Sequence, residues 1–90
     1  MASFTCPDFN RGNRFHADTI SAAAERVAAG IARANGAMVV NLTPHAWSED
    51  LTERVFQVTW GKKIADRVGG GYTNDGREFF RVSKAPMVRA

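Results

Sequence analysis

The chain contains one thiol, Cys6, and two imidazoles, His16 and His45. A thiol becomes a nucleophile when a histidine takes its proton and a third group orients the ring. Nothing in the spacing of these three residues brings them together, and Cys6 reads as a small apolar packing residue. Metal binding fares no better, since neither Cys-x-x-Cys nor His-x-x-x-His occurs. The carboxylates Glu49, Asp50 and Glu53 form the one local acidic cluster. General acid–base work needs one such group desolvated, and this polar segment offers nothing to do so. Gly69-Gly70-Gly71 leads into a turn and a strand. A phosphate loop must lead into a helix N-terminus, so the three glycines read as a flexible link. The expectation is a protein that is not an enzyme and takes no cofactor or metal.

The basic residues suggest binding instead. Net charge is +3, and nine of the twelve cationic side chains are arginine. Arg11 and Arg14 lie in the first connection, Lys62, Lys63 and Arg67 around a central hairpin, and Arg77, Arg81 and Lys84 on the last strand. If those strands are neighbours, one face or rim of a sheet is positive, with Tyr72 nearby as a stacking ring. Single-stranded nucleic acid or an RNA–protein surface suits such a patch. The competing explanation is a solvated surface, because edge strands carry Lys and Arg against aggregation. Paired aromatics of an RNA-recognition signature are absent. Trp47 sits in a segment rich in Pro, Ser and Asp. It either folds back on the core or stands out as an interface anchor. The candidate partner-binding residues are therefore Arg11, Arg14, Trp47, Lys62, Lys63, Arg67, Tyr72, Arg77 and Arg81.

The element that must position these residues is a helix between Phe15 and Asn35. Asp18 is the expected N-cap, with its carboxylate on the free N–H groups of the first turn. Seven alanines from Ala22 to Ala34 favour the helix. Ile20, Ala24, Val27, Ile31 and Ala34 make an apolar stripe, and Asn35-Gly36 ends it. A stripe of small residues lets a helix sit close on a sheet.

The remaining segments read as strands and turns. Ser3–Cys6 and Arg14–His16 form a loose hairpin around the polar connection Asp8–Asn13. Ala37–Leu42 is a well-buried strand stopped by Thr43-Pro44, and Pro44–Thr52 is a polar loop. Arg54–Trp60 alternates clearly, with Phe56, Val58 and Trp60 on one face. Residues 62–68 form a strand paired with what precedes, or else a helical turn. Asn74-Asp75-Gly76 is a tight turn using positive φ angles. In the last strand, Glu78–Lys84, Phe80 and Val82 point inward and Phe79 is partly covered. Residues 85–90 are a loose tail.

The fold expected is α+β: one amphipathic helix on a single, mainly antiparallel sheet of three to five strands, in the order β-α-β-β-β. Residues 1–90 make a single small domain. No apolar run is long enough to span a bilayer, no basic-then-apolar leader is visible, and one cysteine excludes an internal disulfide. These features point to the cytoplasm, and because an exposed edge strand can pair with a second copy, the expected state is a monomer or a homodimer.

Phe15-His16-Ala17-Asp18-Thr19-Ile20 leads into Ala22-Ala23-Ala24-Glu25-Arg26-Val27. A strand and hairpin strands follow, ending Gly76-Arg77-Glu78-Phe79-Phe80-Arg81-Val82. In size and layout, roughly over residues 14 to 83, this resembles small proteins of phages and mobile elements, and among them anti-CRISPR inhibitors of type I surveillance complexes. The resemblance is one of architecture and carries no functional residue across. It implies a stoichiometric inhibitor in a bacterial host that docks on Cas subunits and blocks target DNA binding or nuclease recruitment. Many such inhibitors are acidic and imitate DNA. This chain is basic, so the resemblance implies a grip on acidic protein patches or on nucleic acid held by the complex. The alternative is a small basic nucleic-acid-binding module.

Overall fold

The computed structural model describes residues 2–6, 14–64 and 71–85. Asp8–Asn13 with Arg11, residues 65–68 with Arg67, Gly69-Gly70 and residues 86–90 lie outside the described residues. The architecture is α+β. The elements are β1 (Ala2–Thr5), β2 (Phe15–Ala17), α1 (Ile20–Ala34), β3 (Met38–Trp47), β4 (Glu53–Gly61) and β5 (Gly76–Lys84). The five strands form one antiparallel sheet in the order β2-β1-β5-β4-β3. The last strand in sequence is thus the middle of the sheet, and α1 packs on one side.

The helix begins one residue later than its sequence suggests. The N-cap is Thr19, whose Oγ1 accepts from the Ala22 N–H at 3.0 Å, and not Asp18. Thr19 has the extended backbone a cap requires, with φ −139° and ψ 165°. The C-terminus closes on Gly36, at φ 64°. The Gly36 N–H donates to Arg33 O and the Ala37 N–H to Ala32 O, satisfying carbonyls that the helix leaves open.

Ile20, Ala23, Ala24, Val27, Ala28, Ile31 and Ala32 are buried. Ala34 is exposed, so the stripe turns onto Ala28 and Ala32 rather than ending at Ala34. On the sheet these residues meet Phe4, Phe15, Cys6, Phe56, Val58, Phe80 and Val82. Phe56 and Phe80 are cross-strand partners with ring centroids 5.8 Å apart. Full burial of side chains of this size contributes about 1.5–3 kcal/mol each. Alanines at the contact bring helix and sheet together. Short β2 is tied to the helix by Arg26, whose Nη1 donates to His16 O at 2.7 Å while its guanidinium lies over the Phe15 ring.

Strand β3 departs furthest from expectation. It is an edge strand, with Met38 and Val40 exposed, so Ala37–Leu42 is not a well-buried strand. It also runs through Pro44 to Trp47, pairing Pro44 with Phe56 and Trp47 with Arg54. An edge tolerates proline because only one flank of the strand needs its N–H groups. Register shifts between Val39 and Asn41 and between Pro44 and Trp47 break its regularity. Pro44–Thr52 is therefore strand up to Trp47 and turn only from Ser48.

Beyond β4, Lys62–Ile64 does not pair with what precedes it. Lys63 bridges Tyr72 on the returning chain, and the Thr73 N–H donates to Lys62 O. The positive φ expected at Asp75-Gly76 does not occur, because the chain returns over a longer connection. Gly76 is needed for a different reason. It faces Trp60 across the ladder, and a Cβ there would stand 2.6 Å from the indole.

Candidate nucleic-acid or protein interface

Antiparallel partners share a sheet face, so the register assigns every strand residue to one of two sides. The helix side takes Phe4, Arg54, Phe56, Val58, Trp60, Phe80 and Val82. The opposite side has no described element over it. Its rows are read directly from the pairing: Asn41–Thr59–Arg77, then Thr43–Gln57–Phe79, then Val55–Arg81, then Glu53–Ser83–Thr5.

The central strand carries the chemistry of this open side. Arg77, Phe79 and Arg81 alternate along β5 and all are exposed. Phe79 is 56% exposed, which is high for a phenylalanine in the middle of a sheet. The expectation that it is partly covered gives way. Its one aromatic neighbour among the described residues is His45, edge-on with centroids 5.4 Å apart. A shallow recess of about 290 Å³ adjoins it, lined by Val55, Phe79, Phe80 and Arg81. The Glu53 carboxylate is the acidic group in these rows. It accepts from Ser83 Oγ at 2.7 Å and lies 3.4 Å from Arg81 Nη1. Arg77 enters no ion pair among the described residues. Around the ring stand uncharged hydrogen-bonding groups: Gln57, Thr43, Thr59 and Asn41.

Comparison with protein-family models, curated proteins and solved structures finds no match. The reading of the site therefore rests on its own geometry.

The remaining candidates scatter. Lys62, Lys63 and Tyr72 are exposed and meet at the end of β4, where Lys63 faces Tyr72. Arg14 precedes β2 at the far edge from β3. Arg11 and Arg67 lie outside the described residues. Trp47 is neither buried nor free. Its ring is flanked by the Arg54 guanidinium at 5.2 Å and the Lys84 ammonium at 5.6 Å, on the helix side. Trp47 and Lys84 are engaged with each other and sit apart from the Arg77–Arg81 row. The sheet thus gathers Arg77 with Arg81, and Lys62 and Lys63 with Tyr72, but joins neither Arg14 nor Trp47 to them.

Cys6 is fully buried in the core with Phe4, whereas His16 and His45 are exposed on other strands. His16 shares a row with Ser3 on the open side, Nδ1 to Oγ being 3.1 Å. The sheet separates the thiol from the imidazoles. Among the described residues no three His, Cys, Asp or Glu side chains group as metal ligands, and no helix is long and apolar enough to cross a membrane. Asp50 has a structural task in the β3–β4 turn. Its Oδ1 accepts from Ser48 Oγ, Thr52 Oγ1 and the Thr52 N–H, and these bonds, Ser48's first, lower its pKa.

Phe79, His45 and Gln57 are the site residues that the sequence reading passed over. The means to find Phe79 was present. Once Phe80 and Val82 point inward, period two puts Arg77, Phe79 and Arg81 together on the other side. His45 and Gln57 needed the pairing register.

Proposed function

We propose that this chain is a non-enzymatic interaction protein whose working surface is the open side of its sheet. One observation carries the reading: the central strand presents Arg77, Phe79 and Arg81 in alternation on a face that no described element covers. An exposed aromatic between two arginines has the composition of an interface anchor.

The most specific form of the proposal is a phage-encoded inhibitor that docks on a type I CRISPR-Cas surveillance complex and blocks target DNA binding or nuclease recruitment. The resemblance in size and layout supports it. So does the sign of the charge, with arginines suited to acidic subunit surfaces or to nucleic acid held in the complex. Co-purification with a type I surveillance complex tests it. Wild-type protein is retained and the Arg77→Glu/Arg81→Glu variant is not. Failure to bind any such complex removes this identity.

A second reading, a small basic nucleic-acid-binding module, is favoured by Phe79, whose exposed ring can stack. It predicts affinity for free DNA or RNA that falls steeply with salt.

A further inference from the structure

The chemistry of the open side distinguishes among its possible occupants. An ordinary protein interface buries a cluster of apolar side chains at its centre. Here one ring stands exposed beside a single half-buried apolar side chain of the same face, Val55, while Gln57 across the ladder and Thr43 one strand further are polar. Cations lie on both sides of it along the strand. Two residues of an extended strand span about 6.8 Å. Arg77 and Arg81 are therefore placed so that an extended polymer of regularly spaced anions, running along β5, meets a cation on each side of the ring.

We infer that this face is a platform for single-stranded nucleic acid, in which one base stacks on Phe79 while Arg77 and Arg81 take the flanking phosphates. This deepens the reading of the open side as the working surface and rests on it. A base offers the flat π-face that an exposed phenyl ring accepts, and every base has one. Duplex DNA hides those faces inside its stack and does not fit. His45 acts as a positioning residue, holding the Phe79 ring from its edge at 5.4 Å. Gln57 and Thr59 on the adjacent strand, and Thr43 one strand further, supply hydrogen bonds to base edges. Glu53 would repel a phosphate, but Ser83 Oγ holds its carboxylate at 2.7 Å at the far end of the rows, and the longer 3.4 Å contact to Arg81 engages one guanidinium nitrogen and leaves the rest of that exposed group for a phosphate. An acidic peptide would satisfy the arginines and leave the ring unused.

The experiment is fluorescence anisotropy with labelled oligo(dT), oligo(U) and a duplex of mixed sequence, using the full chain at low salt. Either single strand binds and the duplex binds far more weakly, since stacking and phosphate contact are blind to the sugar. Phe79→Leu keeps the apolar bulk, removes the ring, and weakens binding about five-fold or more. Phe79→Trp restores it. Arg77→Ala lowers the slope of log affinity against log salt by about 0.7. Far-UV circular dichroism confirms that each variant is folded. Equal affinity for duplex, or Phe79→Leu binding as wild type, overturns the platform. If no oligonucleotide binds but the Arg77→Glu/Arg81→Glu variant still releases a protein complex, the platform falls and the interaction face stands. If neither binding is seen, both fall.

Discussion

Gly61→Ala tests whether the connection after β4 belongs to the site. Gly61 ends the strand, where a Cβ would collide with the Thr73 carbonyl and come within 2.6 Å of its carbon. Backbone rather than a flexible side-chain tip stands in the way, so Thr73 must retreat by more than an ångström. Two hydrogen bonds hold it: the Lys62 N–H to Thr73 Oγ1 and the Thr73 N–H to Lys62 O, both 2.8 Å. A bond of this kind contributes about 0.5–1.5 kcal/mol net, so losing both costs about 1–3 kcal/mol. The core residues of β4, Phe56 and Val58, lie three or more positions back along the strand, so the fold survives. Urea unfolding should show the midpoint falling with an unchanged slope, and the Thr73 amide should exchange faster. A loss below about 0.5 kcal/mol with the amide still protected would refute the reasoning. The same variant informs on function, because Lys62, Lys63 and Tyr72 ride on this connection. Unchanged oligonucleotide affinity confines the site to the β5 rows, and a clear drop extends it to the connection.

Thr19→Ala removes the helix cap and should cost about 1 kcal/mol in thermal or urea unfolding, with Asp18→Ala costing less. Leu51 is exposed and has φ 58°, a left-handed conformation that a leucine adopts at a cost. Leu51→Asn should therefore stabilise the protein by roughly 0.5–1 kcal/mol, read from the urea midpoint. The Asp50 carboxyl titrates below its ordinary value because Ser48 and Thr52 donate to the ionised form. Its contribution to the turn is whole above the unfolded-state pKa and is lost as pH falls through the lowered folded value. Carboxyl-carbon NMR should show Ser48→Ala moving that titration upward; no movement would dismiss the assigned cause.

The sequence by itself determined the elements whose pattern is local. The alanine-rich helix, its Asn35-Gly36 end, the alternation of Phe56, Val58 and Trp60, and the inward Phe80 and Val82 were all legible, because helix and strand periodicities are written into a single segment. The α+β layout followed from their order. It could not say which strand is an edge. Ala37–Leu42 reads as buried because its residues are β-branched and apolar, yet β3 lies at the margin of the sheet and leaves Met38 and Val40 exposed. Nor could it say which strand is central. That place went to β5, which pairs with β4 from Gly76 to Ser83 and with β1 at Phe4 and Thr5. Pairing between strands far apart in the chain is a non-local choice, made by the burial of the helix-side residues together. Only that choice sets Arg77, Phe79 and Arg81 in the middle of an open face, and ties Trp47 to Arg54 and Lys84 away from it.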